Sequence, residues 1–231
     1  MNNDALKELF DQQAEGYDKQ WEKTSPIRDA LLFLMESVFA ELPATAHLLC
    51  IGAGTGAEIS YLAARFPRWR FTAVEPSIGM VKVCRRRAQA DGFADRCQVI
   101  EGYVEAVPER ATFDGATCLL VSQFLIDQNA RTEFFRGIHQ RLLPSGLLVS
   151  SDLASDIQSP EYDGLLRLWL TMMSGAGITP EALERLRKAY STDVAVLPPE
   201  AVTAMIAAAG FTAPTVFYQA GLIHGWFSRK V

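Results

Sequence analysis

A chain of 231 residues, 49% apolar and 21% charged, is long enough to bury a substantial core as one domain. Its formal charge of −5 gives no net pull toward nucleic acid, so DNA is not expected as a partner and RNA is disfavoured. No apolar run reaches the ~20 residues of a membrane span, and MNNDALKELF lacks the basic start and apolar core of a signal peptide. A cytoplasmic protein without a membrane partner is therefore expected. Cys50, Cys84, Cys97 and Cys118 form no C-x-x-C pair and are read as reduced core residues. His47, His139 and His224 are scattered, so no metal is expected.

In chain order, Leu6, Leu9 and Phe10 mark a short amphipathic helix, and AEGYDKQW reads as a loop. Pro26, a good first-turn residue after Ser25, starts a second helix that runs to Leu42. Strand HLLCI follows, then a glycine loop and a helix through Ile59, Leu62, Ala63 and Phe66 that Pro67 stops. RFTAVE is a strand, PSIGMVKVCRRRAQADG a helix closed by Gly92, CQVIEG a third strand and FDGATCLLV a fourth. A helix over Arg131–Leu143 precedes the turn LPSG and the fifth strand, GLLVSSD. Near-continuous apolar strands alternating with helices imply a mostly parallel sheet covered on both faces. TVFYQAGLIHGWFSRKV reads as a hairpin, which brings in an antiparallel strand at the end of the sheet. The expected organisation is one domain: an N-terminal helical cover (1–44), a core (45–152), a helical insertion (153–197) and a closing helix with hairpin (198–231).

The loop in LLCIGAGTGA admits several ligands. Gly52, Gly54 and Ala57 fit a dinucleotide fingerprint, and Glu75 lies where a ribose-binding carboxylate belongs. Ala57-Glu58 replaces the Lys-Ser/Thr that a P-loop needs. None of Tyr17, Tyr61, Tyr103, Tyr162, Tyr190 or Tyr218 has lysine four residues on, as a compact dehydrogenase would. Gly52, Gly54 and Gly56 fit a G-x-G-x-G loop equally well.

The order HLLCIGAGTG, VEPSIGM, VIEGYVEAVP, FDGATCLLVSQFL, RLLPSGLL and closing hairpin resembles the class I S-adenosylmethionine (SAM)-dependent methyltransferases, over about residues 5–231. The resemblance implies a Rossmann-like, doubly wound α/β fold with a seven-stranded, mostly parallel sheet and an antiparallel last strand. It implies SAM as cofactor, with S-adenosylhomocysteine as product. Gly52, Ala53, Gly54 and Gly56 would pass beside the methionine and ribose portions, and Glu75, with Pro76 after it, would accept from both ribose hydroxyls. Met80, with Ile78 nearby, would face the adenine, with Tyr103 and Val104 at its edge. Backbone groups of Val121 and Ser122 would meet the methionine end, and Tyr17 resembles a lid tyrosine. Two departures stand out: the family has an acidic residue where this chain has Cys50, and an Asp is common where Tyr103 stands.

Methyl transfer from a sulfonium is an in-line displacement that alignment and desolvation can drive, so no obligatory catalytic residue is expected. His224, near the hairpin tip, and Tyr17 are the candidates for a base, while Asp127 and Asp152 sit beyond the fourth and fifth strands. VSQF lacks the Asn/Asp-Pro-Pro-aromatic of amino-group nucleobase methyltransferases, which argues against DNA. KVCRRRA reads as a solvated helix face. Tyr162, Leu165, Leu166, Leu168, Trp169, Leu170, Met172 and Met173 suit an apolar lid over a small, partly hydrophobic substrate, and equally a core or a homodimer interface. The expected activity is methylation of such a molecule. Alternatives are a carboxy-SAM synthase of tRNA uridine modification, with Arg187 or Lys188 for a carboxylate, and a non-catalytic SAM-binding partner.

Overall fold

The computed structural model describes residues 3–110, 112–174 and 179–231. Helices α1 (Asn3–Gln13), α2 (Tyr17–Gln20) and α3 (Ser25–Phe39) precede strand β1 (His47–Ile51). The core then alternates α4 (Ala57–Arg65), β2 (Arg70–Glu75), α5 (Ile78–Ala90), β3 (Cys97–Glu101), β4 (Phe113–Leu119), α6 (Gln128–Arg141) and β5 (Leu142–Leu153). After α7 (Pro160–Ser174) and α8 (Pro180–Thr192) come α9 (Pro199–Ala208) and the hairpin β6 (Thr215–Ala220) and β7 (Ile223–Arg229).

The seven strands form one sheet in the order β3-β2-β1-β4-β5-β7-β6. The neighbours from β3 to β5 are parallel, whereas β7 runs antiparallel to both β5 and β6. Strand β1 shows why its sequence is apolar at every position. Leu48 and Cys50 enter one buried cluster with α3, α4 and α5, while Leu49 and Ile51 enter another with α6 and α9. Strand order reverses between β1 and β4, which opens a crevice at their carboxyl ends.

Two stretches differ from the sequence-based expectation. AEGYDKQW is not a loop but a series of short helical turns, held by hydrogen bonds to the core described below. LPSG lies within the span of β5, where Ser145 at φ 63 and a register shift opposite Phe113–Gly115 kink the strand. The helices α7 and α8 bury Tyr162, Leu166, Trp169 and Leu183 in a third cluster with Leu31, Tyr218, Leu222 and Ile223. Most of the side chains expected as an apolar lid are thus wholly or partly packed, with Leu168 exposed. The part of that insertion at 175–178 lies outside the described residues.

Candidate cofactor site at the carboxyl ends of β1, β2 and β4

At the end of β1, Gly52 N and Ala53 N donate to Val74 O at 2.8 and 3.2 Å, which turns the chain back over β2. Gly52, Gly54 and Gly56 have φ of 63°, 54° and 77°, where L side chains are strained. Their surroundings separate them. A Cβ on Gly52 would lie 2.3 Å from a Val121 methyl, and one on Gly56 would lie 2.8 Å from Cys84 Sγ. A Cβ on Gly54 would meet nothing closer than Gly52 O at 4.0 Å, so the loop is closed at both flanks and open at its middle glycine.

Glu75 ends β2 beside that opening. Its Oε2 accepts from Gly54 N and its Oε1 from Ser77 N, each at 2.9 Å. Burial raises the Glu75 pKa above the usual carboxylate value, and those two N–H donors only partly offset it. Each oxygen keeps further acceptor capacity. Pro76 is half-buried, and Ser77 caps α5 by accepting from Met80 N at 3.1 Å.

The N-terminal segment is fastened over this loop. Asp11 Oδ1 accepts from Ser77 Oγ at 2.6 Å and Gly79 N at 2.8 Å, so a carboxylate from α1 sits on the amino end of α5. Thr55 Oγ1 donates to Asp18 Oδ1 at 2.8 Å, Arg87 Nη1 donates to Thr55 O at 3.0 Å, and Arg87 pairs with Asp18. Arg87, read from sequence as part of a solvated face, therefore clasps α2 to the glycine loop; Arg85 and Arg86 remain exposed. Tyr17 stacks edge-on between Phe10 and Trp21, and Phe10 reaches Phe124 beyond β4 at 5.8 Å. Burial, together with the charges of Glu75, Asp18 and Glu58, pushes the Tyr17 phenol up to about 12. At neutral pH it is a protonated phenol rather than a base.

Beyond β4, Val121 packs on Gly52, but the Ser122 side chain turns away from the loop. Ser122 Oγ donates to Asp152 Oδ2 at 2.6 Å and accepts from Arg131 Nε at 2.8 Å. Asp152 and Arg131 form a wholly buried ion pair at 3.0 Å, and Arg131 Nη1 also donates to Ala195 O at 3.1 Å. Asp152 is thereby a structural acid, and Asp127 caps α6 by accepting from Ala130 N at 2.8 Å. Neither offers a free carboxylate to a substrate.

The remaining sequence candidates scatter. Met80 and Val104 are buried, Val104 in the cluster of β2, β4 and α6, whereas Tyr103 is 47% exposed. His224 is buried on β7 with Nδ1 3.1 Å from Leu222 O and its ring stacked on Trp226. Burial lowers its pKa, so it is neutral at physiological pH. His139 packs edge-on against Phe211. Arg187 is paired with Asp163 and Glu184, so its charge is already matched. All four cysteines are free. Among the described residues no group of three or more His, Cys, Asp or Glu side chains is arranged to hold a metal ion.

Asp11, Asp18, Thr55, Glu58, Arg87 and Phe124 were not singled out from sequence as site residues. Only Thr55 carried a signal, its place inside the glycine loop; the others come from elements that meet solely through the fold.

Residues 48–146 match the model of a family described as a methyltransferase domain. The chain is 32% identical over 121 residues to the erythromycin 3''-O-methyltransferase of Saccharopolyspora erythraea, covering 51% of this chain and 38% of that protein. It is 34% identical over 153 residues to the aclacinomycin 10-hydroxylase of Streptomyces purpurascens, covering 63% and 39%. The chain thus spans about two fifths of the length of these curated relatives. Among solved structures it resembles an O-methyltransferase-like protein of Nostoc punctiforme with a TM-score of 0.69 at 18% identity, over 96% of this chain and 60% of that one. A Thermotoga maritima protein titled a SAM-dependent methyltransferase matches with a TM-score of 0.64 at 18% identity, over 97% of this chain and 99% of its own.

Proposed function

From the match of residues 48–146 to a methyltransferase-domain model and the geometry of the glycine loop, we propose that the chain is a class I SAM-dependent methyltransferase that binds SAM across that loop and moves its methyl group to a small, partly hydrophobic molecule. The observation that carries this reading is the loop itself: it is open at Gly54 and flanked by Glu75, whose two oxygens suit two ribose hydroxyls. The chemistry of these residues fits the cofactor. The loop backbone would pass the ribose and methionine portions, Glu75 would hold the ribose, and the aromatic cover of Phe10, Tyr17 and Trp21 would exclude water.

Bound there, the cofactor supplies an activated methyl group on sulfur. This chain's own residues align it, keep the site dry and present the acceptor. With Tyr17 protonated and Asp152 paired, the acceptor's proton would pass to solvent or to the His224 imidazole, whose lowered pKa favours the neutral form. The substrate would enter beside Leu119, Leu120 and the cluster of α7 and α8, an apolar wall suited to a hydrophobic body. The small-molecule name of the Saccharopolyspora relative supports that substrate class. Cytoplasmic residence and the absence of a metal requirement belong to the same proposal.

Calorimetry with SAM, S-adenosylhomocysteine and NAD tests it, beside Glu75→Ala. Micromolar binding of the first two, lost in the variant and absent for NAD, is the expected result; NAD binding would overturn it. A second reading, a cofactor-binding fold that does not transfer methyl, is favoured by the Streptomyces relative named as a hydroxylase. Tight SAM binding with no methylated product across phenol, hydroxyl, amine and carboxylate acceptors would favour that reading.

A further inference from the structure

Beneath the glycine loop the first turn of α4 carries Glu58, a half-buried residue whose carboxyl faces Thr117 of β4. Cys50 of β1 and Thr117 of β4 are register partners, both wholly buried, and therefore share the face on which α4 packs. Thr117 Oγ1 is buried with no formed hydrogen bond, although the Glu58 carboxyl lies beside it.

The charges around Glu58 are unbalanced. Glu75 faces it from β2 and the Tyr17 phenol from α2; the thiols of Cys50, Cys84 and Cys97 complete the surroundings. Arg87 of α5 is the cation in reach, and its guanidinium is already held by Asp18 and Thr55. A half-buried and a buried carboxyl, Glu58 and Glu75, thus flank one loop, and among the described residues no cation is committed to either. Desolvation, with Glu75 adding to it and the residue's own backbone N–H, Thr117 and Arg87 opposing it, pushes the Glu58 pKa up to about 7. A carboxylate whose ionised form is so disfavoured is stabilised by any ligand that delivers a positive charge.

On the reading that the loop holds SAM, we propose that Glu58 receives the α-ammonium of the cofactor's amino-acid end, over a floor formed by Cys50 and Thr117. The carboxylate that the sequence lacks at Cys50 is supplied from α4, on the same face of the sheet. The ribose is left to Glu75, so the two acids divide the two ends of the cofactor. Ammonium binding favours the ionised acid, so affinity rises with pH as Glu58 loses its proton.

The test measures binding of SAM, S-adenosylhomocysteine and 5′-methylthioadenosine, which lacks the amino-acid end, to wild type, Glu58→Gln and the double variant Glu58→Gln/Cys50→Asp. The expected result is a loss of about tenfold or more in Glu58→Gln for the two ammonium-bearing ligands, and under about twofold for methylthioadenosine. Cys50→Asp restores most of that loss, and SAM binding to wild type tightens several-fold from about pH 6 to about pH 7, a dependence absent in Glu58→Gln. Equal losses for all three ligands, or no loss for any, would overturn the assignment while leaving the cofactor reading intact. Failure of wild type to bind any of the three would overturn the cofactor reading and the Glu58 assignment with it.

Discussion

Two helical covers sit on this sheet, and they are fastened by different physics. The N-terminal cover is tied to the glycine loop and to α5 by charged and hydroxyl groups: Asp11 to Ser77 and Gly79, Asp18 to Thr55 and Arg87. The cover formed by α7 and α8 is held by an apolar cluster of Tyr162, Leu166, Trp169 and Leu183 against α3 and the hairpin. Directional polar contacts fix an orientation, which suits the side that would hold an invariant cofactor. Apolar packing fills volume and tolerates exchange of one side chain for another, which suits the side that would take an acceptor.

This contrast breaks first at Trp169. Trp169→Ala empties a large buried volume and leaves the Tyr190 hydroxyl without the indole N–H it accepts from at 2.7 Å. A loss of about 3–5 kcal/mol in urea unfolding is expected, with no change in nucleoside affinity at temperatures where the variant is folded. Loss of nucleoside binding alone, with stability unchanged, would show the two covers to be one unit.

A smaller effect tests the polar side. Arg87→Met removes the clasp between α2 and the loop; the pair is partly exposed, so global stability should fall by no more than about 1 kcal/mol. Hydrogen exchange should nevertheless quicken through 17–24 and spare 160–174. Uniform exchange across both covers would contradict their separate fastening.

The smallest expected effect is a pH dependence at Asp11. Burial works to raise its pKa, but the bonds from Ser77 and Gly79 and the nearby Lys7 and Lys82 outweigh it and hold the carboxyl below the usual value. A carboxylate depressed in the folded state stabilises it above the unfolded pKa of ~3.9, and that contribution fades as pH falls through the folded value. The N-terminal amides should therefore lose protection as pH falls below about 4, and Asp11→Asn should flatten that slope. The insertion should show no matching step.

Much of the fold was legible because strand burial writes itself into composition. HLLCI, RFTAVE and FDGATCL could be apolar throughout only if both faces were covered, and the hairpin was marked by its turn. The glycine spacing and Glu75 located the loop. The side-chain partners of Ser122 were not legible, because the buried Asp152–Arg131 pair that takes its hydroxyl comes from β5 and α6. Arg87 was misread because a basic run looks solvated until another element brings an acid to it.

The sequence by itself determined the alternation of elements, the antiparallel end of the sheet and the place where backbone comes closest to a ligand, since each follows from local sterics and periodicity. Only the tertiary structure decided which charges meet. Asp11 finds Ser77 across 66 residues and Asp18 finds Arg87 across 69, and Glu58 comes to lie over Cys50 and Thr117. Electrostatic partnership depends on distance in space and on burial, and neither is encoded in the spacing of residues along the chain.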